Sequence, residues 1–204
     1  PFDSQSDDSL AQGRKDPALV PNPLAPLPSC CMPERGWLRE RLGLTDGPLL
    51  MYLGTLSPRK QPGMLARAGA ALARPDVQLV FAGKLLNSEV SRLKREAKSA
   101  HLESGEFILT GYVTDPDLIQ LYSRCQLYVL PSWHEGFGLP ALEAMACGAP
   151  VVGARSSSLV EVIDNDSALF DPFSTADMAQ AIARALSEPT FRQALVDHGT
   201  RQAR

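Results

Sequence analysis

Residues 126–153 read Gln126-Leu-Tyr-Val-Leu-Pro131-Ser-Trp-His-Glu135-Gly-Phe-Gly138-Leu-Pro140-Ala-Leu-Glu143-Ala-Met-Ala-Cys-Gly148-Ala-Pro150-Val-Val-Gly153: a strand, a glycine loop, a helix and a second strand. The apolar runs at 126–130 and 150–153 are of strand length. Pro140 suits the first helical position, where its missing N–H costs nothing, and Gly148 suits the residue just past the helix. Leu142 and Met145 then face a core. The same alternation continues outward. Apolar runs recur at 49–53, 77–82, 107–110 and 168–170. Between them, residues 64–74 carry Leu65, Ala68 and Leu72 at helical spacing, and residues 88–100 carry Val90, Leu93, Ala97 and Ala100 on one stripe. Asp115-Pro116 reads as an N-cap and first-turn proline for a helix through Tyr122, and Ser174-Thr-Ala-Asp177 caps a helix presenting Met178, Ile182 and Leu186. Strands that are apolar along their whole length, separated by such helices, require a parallel sheet covered on both faces. The predicted fold class is α/β: a doubly wound, Rossmann-like parallel sheet of about six strands with helices on both faces.

Composition bounds what such a domain can do. The 204 residues are 44% hydrophobic and 21% charged, with Lys+Arg at 20 against Asp+Glu at 23, which offers no broad cationic surface for nucleic acid. No apolar run approaches the roughly 20 residues of a membrane span, and no signal peptide opens the chain. A cytoplasmic location is expected, or a peripheral one at the inner membrane face. Seven of the 17 prolines fall in the first 33 residues, so 1–33 reads as a Pro-rich arm or linker and 34–204 as the folded domain. The cysteines Cys30, Cys31, Cys125 and Cys147 form no CxxC pair and read as free thiols. His101, His134 and His198 show no local link to them.

In doubly wound sheets ligands bind beyond the carboxyl ends of the strands. After the first run comes Gly54-Thr-Leu-Ser-Pro-Arg59-Lys60-Gln-Pro-Gly63, which is neither GxGxxG nor GxxxxGK[ST], so neither a dinucleotide fingerprint nor a P-loop is present. What remains is a glycine turn followed by two cations suited to phosphate oxygens; solvated loop charges are an equal reading. Gly83-Lys84 and Gly111-Tyr-Val113 follow the second and third runs, and glycine there serves either a close ligand or a plain turn. The densest signal follows the fourth run. Gly136 and Gly138 leave amides exposed at a helix N-terminus, an anion site. Glu135 in the loop and Glu143 on the helix can address different parts of one ligand, a carboxylate being suited to a vicinal diol. The bland alternatives are a solvated loop acid for Glu135 and helix-dipole compensation for Glu143.

The stretch from Glu135 to Pro150, with two glutamates separated by seven residues, resembles the signature of the C-terminal, donor-binding domain of GT-B fold retaining glycosyltransferases, the glycosyltransferase 4 group. Tyr52-Leu-Gly-Thr-Leu-Ser-Pro-Arg-Lys60, Phe81-Ala-Gly83, Thr110-Gly-Tyr-Val113, Leu121-Tyr122, Tyr128-Val-Leu-Pro-Ser132 and Ser156-Ser-Ser-Leu-Val-Glu161 are similar to that family's pattern in the same order. The resemblance implies that Lys60 and Arg59 grip a donor diphosphate, that Glu143 binds the nucleotide ribose and that Glu135 contacts the donor sugar. It places the amides from Phe137 to Leu139 on sugar and phosphate and Tyr112-Val113 against the base. Gly54, Thr55, Gly83, Lys84, Ser132, Gly136 and Gly138 complete the implied donor site. Many members carry arginine where this chain has Thr55, which leaves the role of Arg59 open. The Gly-Thr-Leu-x-Pro-Arg-Lys variant is similar to mannosyltransferase-like members, favouring GDP-mannose. No cofactor or metal is expected.

Rival readings exist. Asp115-Pro-Asp117 and Asp164-Asn-Asp166 are DxD strings, but helix capping and a turn explain them without a metal. A glycoside hydrolase using Glu135 and Glu143 would need the two carboxyls about 5–10 Å apart across a sugar cleft. The run Arg92, Lys94, Arg95, Lys98 reads as a solvated helix face. The expected activity is hexose transfer, mannose favoured, to a glycan or lipid-linked saccharide acceptor bound by an N-terminal domain that precedes this chain. The isolated chain is expected to bind a nucleotide sugar but to be inactive alone. A non-catalytic nucleotide-sugar binding module is the alternative.

Overall fold

The computed structural model describes residues 37–103 and 105–204; the arm read at 1–33, with Cys30 and Cys31, lies outside the described residues. β1 (Leu49–Leu53) is buried at its first four positions and β2 (Gln78–Ala82) at all five. Strands apolar on both sides of the pleat have to lie between two layers. β1 pairs in parallel with β2, Met51 opposite Val80, and on its other side with β4 (Leu127–Leu130), Met51 opposite Tyr128. β3 (Phe107–Gly111) flanks β2, while β5 (Val151–Ala154) and β6 (Leu169–Phe170) extend the sheet beyond β4. The order is β3-β2-β1-β4-β5-β6 and every pair is parallel, as the apolar runs predict.

The helices form two groups on opposite sides of the sheet. On one side α2 (Pro62–Ala71) packs against α3 (Asn87–Ser99) and α7 (Thr175–Ser187). On the other, α5 (Leu139–Ala146) packs against α4 (Asp115–Arg124), α6 (Leu159–Ile163) and α8 (Pro189–Gln202). A further short helix, α1 (Trp37–Leu42), reaches α4 through an ion pair between Arg41 and Asp117. From β1 the chain winds outward to β2 and β3, then returns through α4 to β4 on the far side of β1. The loops after β1 and β4 therefore leave the sheet in opposite directions, which opens a crevice between them.

Local details refine several expectations. The N-cap of α4 is Thr114 rather than Asp115: its hydroxyl accepts from the Asp117 N–H and donates to Asp117 Oδ2 at 2.8 Å. Asp115 is the first helical residue, and the helix runs two residues past Tyr122. The buried Asp117 carboxylate is held by Arg41 and Thr114, a structural use of this DxD string. In the second string, Asp164 closes α6 at φ 45° and Asn165 caps the 3-10 turn before β6. Ser174 caps α7 as read, accepting from the Asp177 N–H at 3.1 Å. The expected helix at 64–74 begins earlier, at Pro62, and ends at Ala71, just before Ala73 turns left-handed at φ 51°. Lys94, Arg95 and Lys98 are solvated, but Arg92 is not part of that face: it bonds the Leu56 carbonyl and ties α3 to the loop after β1.

Gly83 is required by the fold itself. Its φ is 129°, and an added Cβ would lie 2.6 Å from the Gly54 carbonyl oxygen, so the turns after β1 and β2 touch backbone to backbone. The close neighbour is another peptide, not a ligand. Gly83→Ala is expected to destabilise the domain by about 2–4 kcal/mol through strained φ and overlap. Chemical denaturation checks this, and unchanged stability would contradict it.

Candidate functional site

The loops after β1 and β4 are tied across the crevice. The first forms a 3-10 turn, Pro58–Lys60, closed by Gln61 at φ 50°, whose side-chain amide donates to the Pro172 carbonyl at 2.7 Å. The Trp133 N–H donates to the Arg59 carbonyl at 3.1 Å. Lys60 Nζ then lies 2.9 Å from Glu135 Oε1, and Arg59 Nη1 lies 3.4 Å from Glu135 Oε2 while also bonding the His134 carbonyl. The Lys60 stem passes over Gly54, where a Cβ would meet its Cδ at 3.1 Å. An absent side chain at Gly54 therefore gives the lysine its path.

Glu135 is not a solvated loop acid: it is 8% exposed, and the Lys60 side chain is 14% exposed, whereas Arg59 remains near half-exposed. Burial acting alone would raise the Glu135 pKa, but the Lys60 ammonium, the Ser132 hydroxyl and the Arg59 guanidinium together hold it below the ordinary carboxylate value. The Ser132 hydroxyl is wholly buried and lacks a hydrogen bond of regular geometry among the described residues. Beneath the loop, the Tyr52 hydroxyl donates to the Thr55 carbonyl; burial first, and the Glu135 charge second, keep that phenol protonated.

Three consecutive serines after β5 hold the Glu135 loop in place. The Glu135 N–H donates to Ser157 Oγ at 2.9 Å, the Ser158 hydroxyl donates to the Glu135 carbonyl at 3.1 Å, and the Ser156 hydroxyl donates to the Ser132 carbonyl at 2.9 Å. Ser157 adopts φ 44° to do so. Spacing along the chain gives these serines no role, and the resemblance at 156–161 names none for them. The available signal was their place at the carboxyl end of a strand.

Gly138 is the N-cap of α5 at φ 91°, with no side-chain cap, and a Cβ there would lie 2.8 Å from Leu159 Cδ2. The helix starts at Leu139, so Pro140 is its second residue rather than its first. The uncapped N-terminus directs partial positive charge to a point three residues from Glu135. Gly136, Phe137 and Leu139 are exposed around it. Glu143 lies beyond the first turn and is half-buried; the Tyr122 hydroxyl donates to its Oε2 at 3.3 Å, so it is more than a dipole counterweight.

Arg59, Lys60, Ser132 and Glu135 form one ion-paired centre with Gly54 beneath, and Gly83 supports Gly54. Thr55 is exposed, its hydroxyl donating to Ser57. Lys84 and Tyr112 are exposed beyond β2 and β3 and share the rim rather than the centre; Val113 is buried and cannot present its side chain there. Among the described residues no group of three or more potential metal ligands gathers. Cys125 is fully buried, its thiol pushed up to about 12 by burial, which disqualifies it as a nucleophile. A cavity of about 230 Å³ is lined by α2, α3 and the flanks of the Pro58–Lys60 turn but by neither Lys60 nor Glu135, and its cations, Arg67 and Arg92, pair with Glu96.

A family model described as glycosyl transferases group 1 matches residues 36–202. The serotype-specific mannosyltransferase WbdA of Escherichia coli is 38% identical over 169 residues, covering 81% of this chain and 21% of WbdA. The D-inositol 3-phosphate glycosyltransferase of Saccharomonospora viridis is 35% identical over 181 residues, covering 83% of this chain and 42% of that enzyme. The crystal structure of Anabaena HepE in complex with UDP and glucose superposes with a TM-score of 0.73 at 25% identity, covering 82% of this chain and 46% of HepE. The chain thus spans less than half the length of these relatives.

The Glu135 ion pair has a pH signature. Because its folded pKa lies below the ordinary value of about 4.3, its stabilising contribution is complete above that value and is lost as pH falls through the folded pKa. Thermal unfolding from pH 6 to 3 should therefore show a steeper acid loss for the natural chain than for Glu135→Gln. Parallel curves would contradict it.

Proposed function

The chain belongs to the family of group 1 glycosyl transferases, and from that membership we propose that it is the donor-binding domain of a retaining hexosyltransferase of the glycosyltransferase 4 group, using GDP-mannose. The observation that carries this reading is the Lys60–Glu135 ion pair at the β1/β4 crevice, three residues from the uncapped start of α5. A lysine whose side chain is only 14% exposed, opposed by a single carboxylate beside a helix N-terminus, is matched to a diphosphate, which can take the place of the carboxylate on the cation. The mannosyltransferase name of WbdA supports the sugar. The complex of HepE with UDP supports a nucleoside diphosphate as the ligand class.

In this proposal Lys60 and Arg59 bind the diphosphate, and the amides from Phe137 to Leu139 reach its oxygens and the sugar. Glu143 accepts from the ribose hydroxyls, and Tyr112, with the Val113 backbone, lies against the base. Released from Lys60, Glu135 orients the sugar and steadies positive charge at its ring. The bond from the sugar C1 to the β-phosphate oxygen breaks as C1 bonds the acceptor oxygen on the same face, and the acceptor proton passes to the departing phosphate. Negative charge grows on that phosphate, so cations and helix amides aimed there favour the transition state over the ground state. Side-chain cations suffice for this role, and the proposal includes no metal or cofactor.

The acceptor, a glycan or lipid-linked saccharide, is assigned to an N-terminal domain joined through residues 1–33, so transfer requires more than residues 34–204. No described helix is long and apolar enough to cross a membrane. The proposed location is cytoplasmic or peripheral at the inner membrane face.

Calorimetry with GDP, UDP and ADP tests the reading. One nucleotide should bind, GDP being expected, and Lys60→Ala or Glu143→Ala should weaken it by about tenfold or more, the size of a lost charge-assisted hydrogen bond. Absence of binding, or indifference to both substitutions, would overturn it. The chain alone should release no free hexose-acceptor product; robust turnover would refute the division of labour.

A further inference from the structure

Glu143 is assigned to the ribose, yet it projects from a helix as a half-buried side chain with several rotatable bonds, and something has to hold it for a ligand. The Tyr122 hydroxyl donates to Glu143 Oε2 at 3.3 Å from the neighbouring helix α4. Tyr122 is 1% exposed, and its ring stands edge-on to Tyr128, with centroids 5.3 Å apart and planes at 79°. That packing fixes where the phenol oxygen lies. A buried hydroxyl costs free energy unless it is bonded, so phenylalanine would fill this space at lower cost. Glu143 is the partner that compensates it. Burial first, and the neighbouring Tyr128 and Glu143 next, push the Tyr122 pKa far up, so the phenol remains a donor at any working pH. One carboxylate oxygen is thereby held by α4.

We propose that Tyr122 is a positioning residue for nucleotide binding: its buried phenol clamps one oxygen of Glu143 and presents the other to the vicinal diol of the ribose. This inference rests on the assignment of Glu143 to the ribose. The clamp acts like the outer hydrogen bonds that orient metal ligands, by restricting a first-contact group rather than by touching the ligand. It predicts sensitivity confined to the hydroxyls of the sugar ring. A purely structural tyrosine would affect every ligand alike.

The test is a cycle of Tyr122→Phe and Glu143→Ala against GDP, UDP and ADP, each paired with its 2′,3′-dideoxy counterpart, read by calorimetry on whichever nucleotide binds most tightly. Tyr122→Phe should weaken the ribonucleotide by about three- to tenfold and leave the dideoxy counterpart within about twofold, with thermal unfolding showing a folded protein. Glu143→Ala should show the same selectivity with a larger loss, and the double variant should lose no more than Glu143→Ala alone. Equal weakening of both nucleotides by Tyr122→Phe, or no weakening of either, would overturn the clamp while leaving Glu143 in place. If Glu143→Ala itself failed to distinguish ribose from dideoxyribose, the ribose assignment would fall and the clamp with it.

Discussion

The contact between Lys60 and Glu135 joins the two loops that a doubly wound sheet sends in opposite directions. β1 and β4 are neighbours in the sheet although the chain visits β2 and β3 between them. Their following loops have no covalent reason to meet. A 2.9 Å ion pair, reinforced by Arg59 and by a backbone bond from Trp133, brings them together. Burying those charges is tolerable because each has a partner and Glu135 has its own backbone held by Ser157 and Ser158. Removal of one partner would strand the other in a poorly solvated place. Introduction of a stronger anion would keep the lysine paired.

This asymmetry links the fold to the proposed chemistry. A diphosphate carries more charge than a carboxylate and can also use the α5 N-terminus, which no side chain caps. Exchange of Glu135 for phosphate on Lys60 would leave the glutamate beside the sugar, where a carboxylate is useful, without creating an unpaired cation. The glycines support the same arrangement: Gly54 makes room for the lysine stem, Gly83 for the Gly54 peptide, and Gly138 for Leu159 under the helix start. Each removes a side chain so that a cation, a peptide or a leucine can occupy the position.

The sheet and its helix layers were legible because burial on both faces leaves a distinctive trace: strands with apolar residues at successive positions, such as 79–82, present apolar side chains to both sides of the sheet. The start of α7 was legible at Ser174, whose hydroxyl accepts from the Asp177 N–H. The start of α4 was misplaced by one residue, since the choice between Thr114 and Asp115 depends on Asp117 turning back to bond Thr114 and Arg41. Lys60 and Glu135 were legible as candidates from the loops that follow β1 and β4, and Glu143 from the helix that follows Glu135. The burial of Glu135, the grip of the three serines and the Tyr122 bond to Glu143 were not, because they arise between segments 21 to 75 residues apart. Spacing along the chain carries no record of such pairs. Arg92 shows the same limit: its neighbours Lys94, Arg95 and Lys98 are solvated, and only its position on α3 turns it toward the Leu56 carbonyl.

The most direct measurement is a crystal structure of this chain grown with a nucleoside diphosphate. The account predicts β-phosphate oxygens within hydrogen-bond distance of Lys60 Nζ and of the amides at the start of α5, with Glu135 moved off the lysine. A nucleotide seated elsewhere, or one bound while the 2.9 Å Lys60–Glu135 contact stays intact, would contradict it.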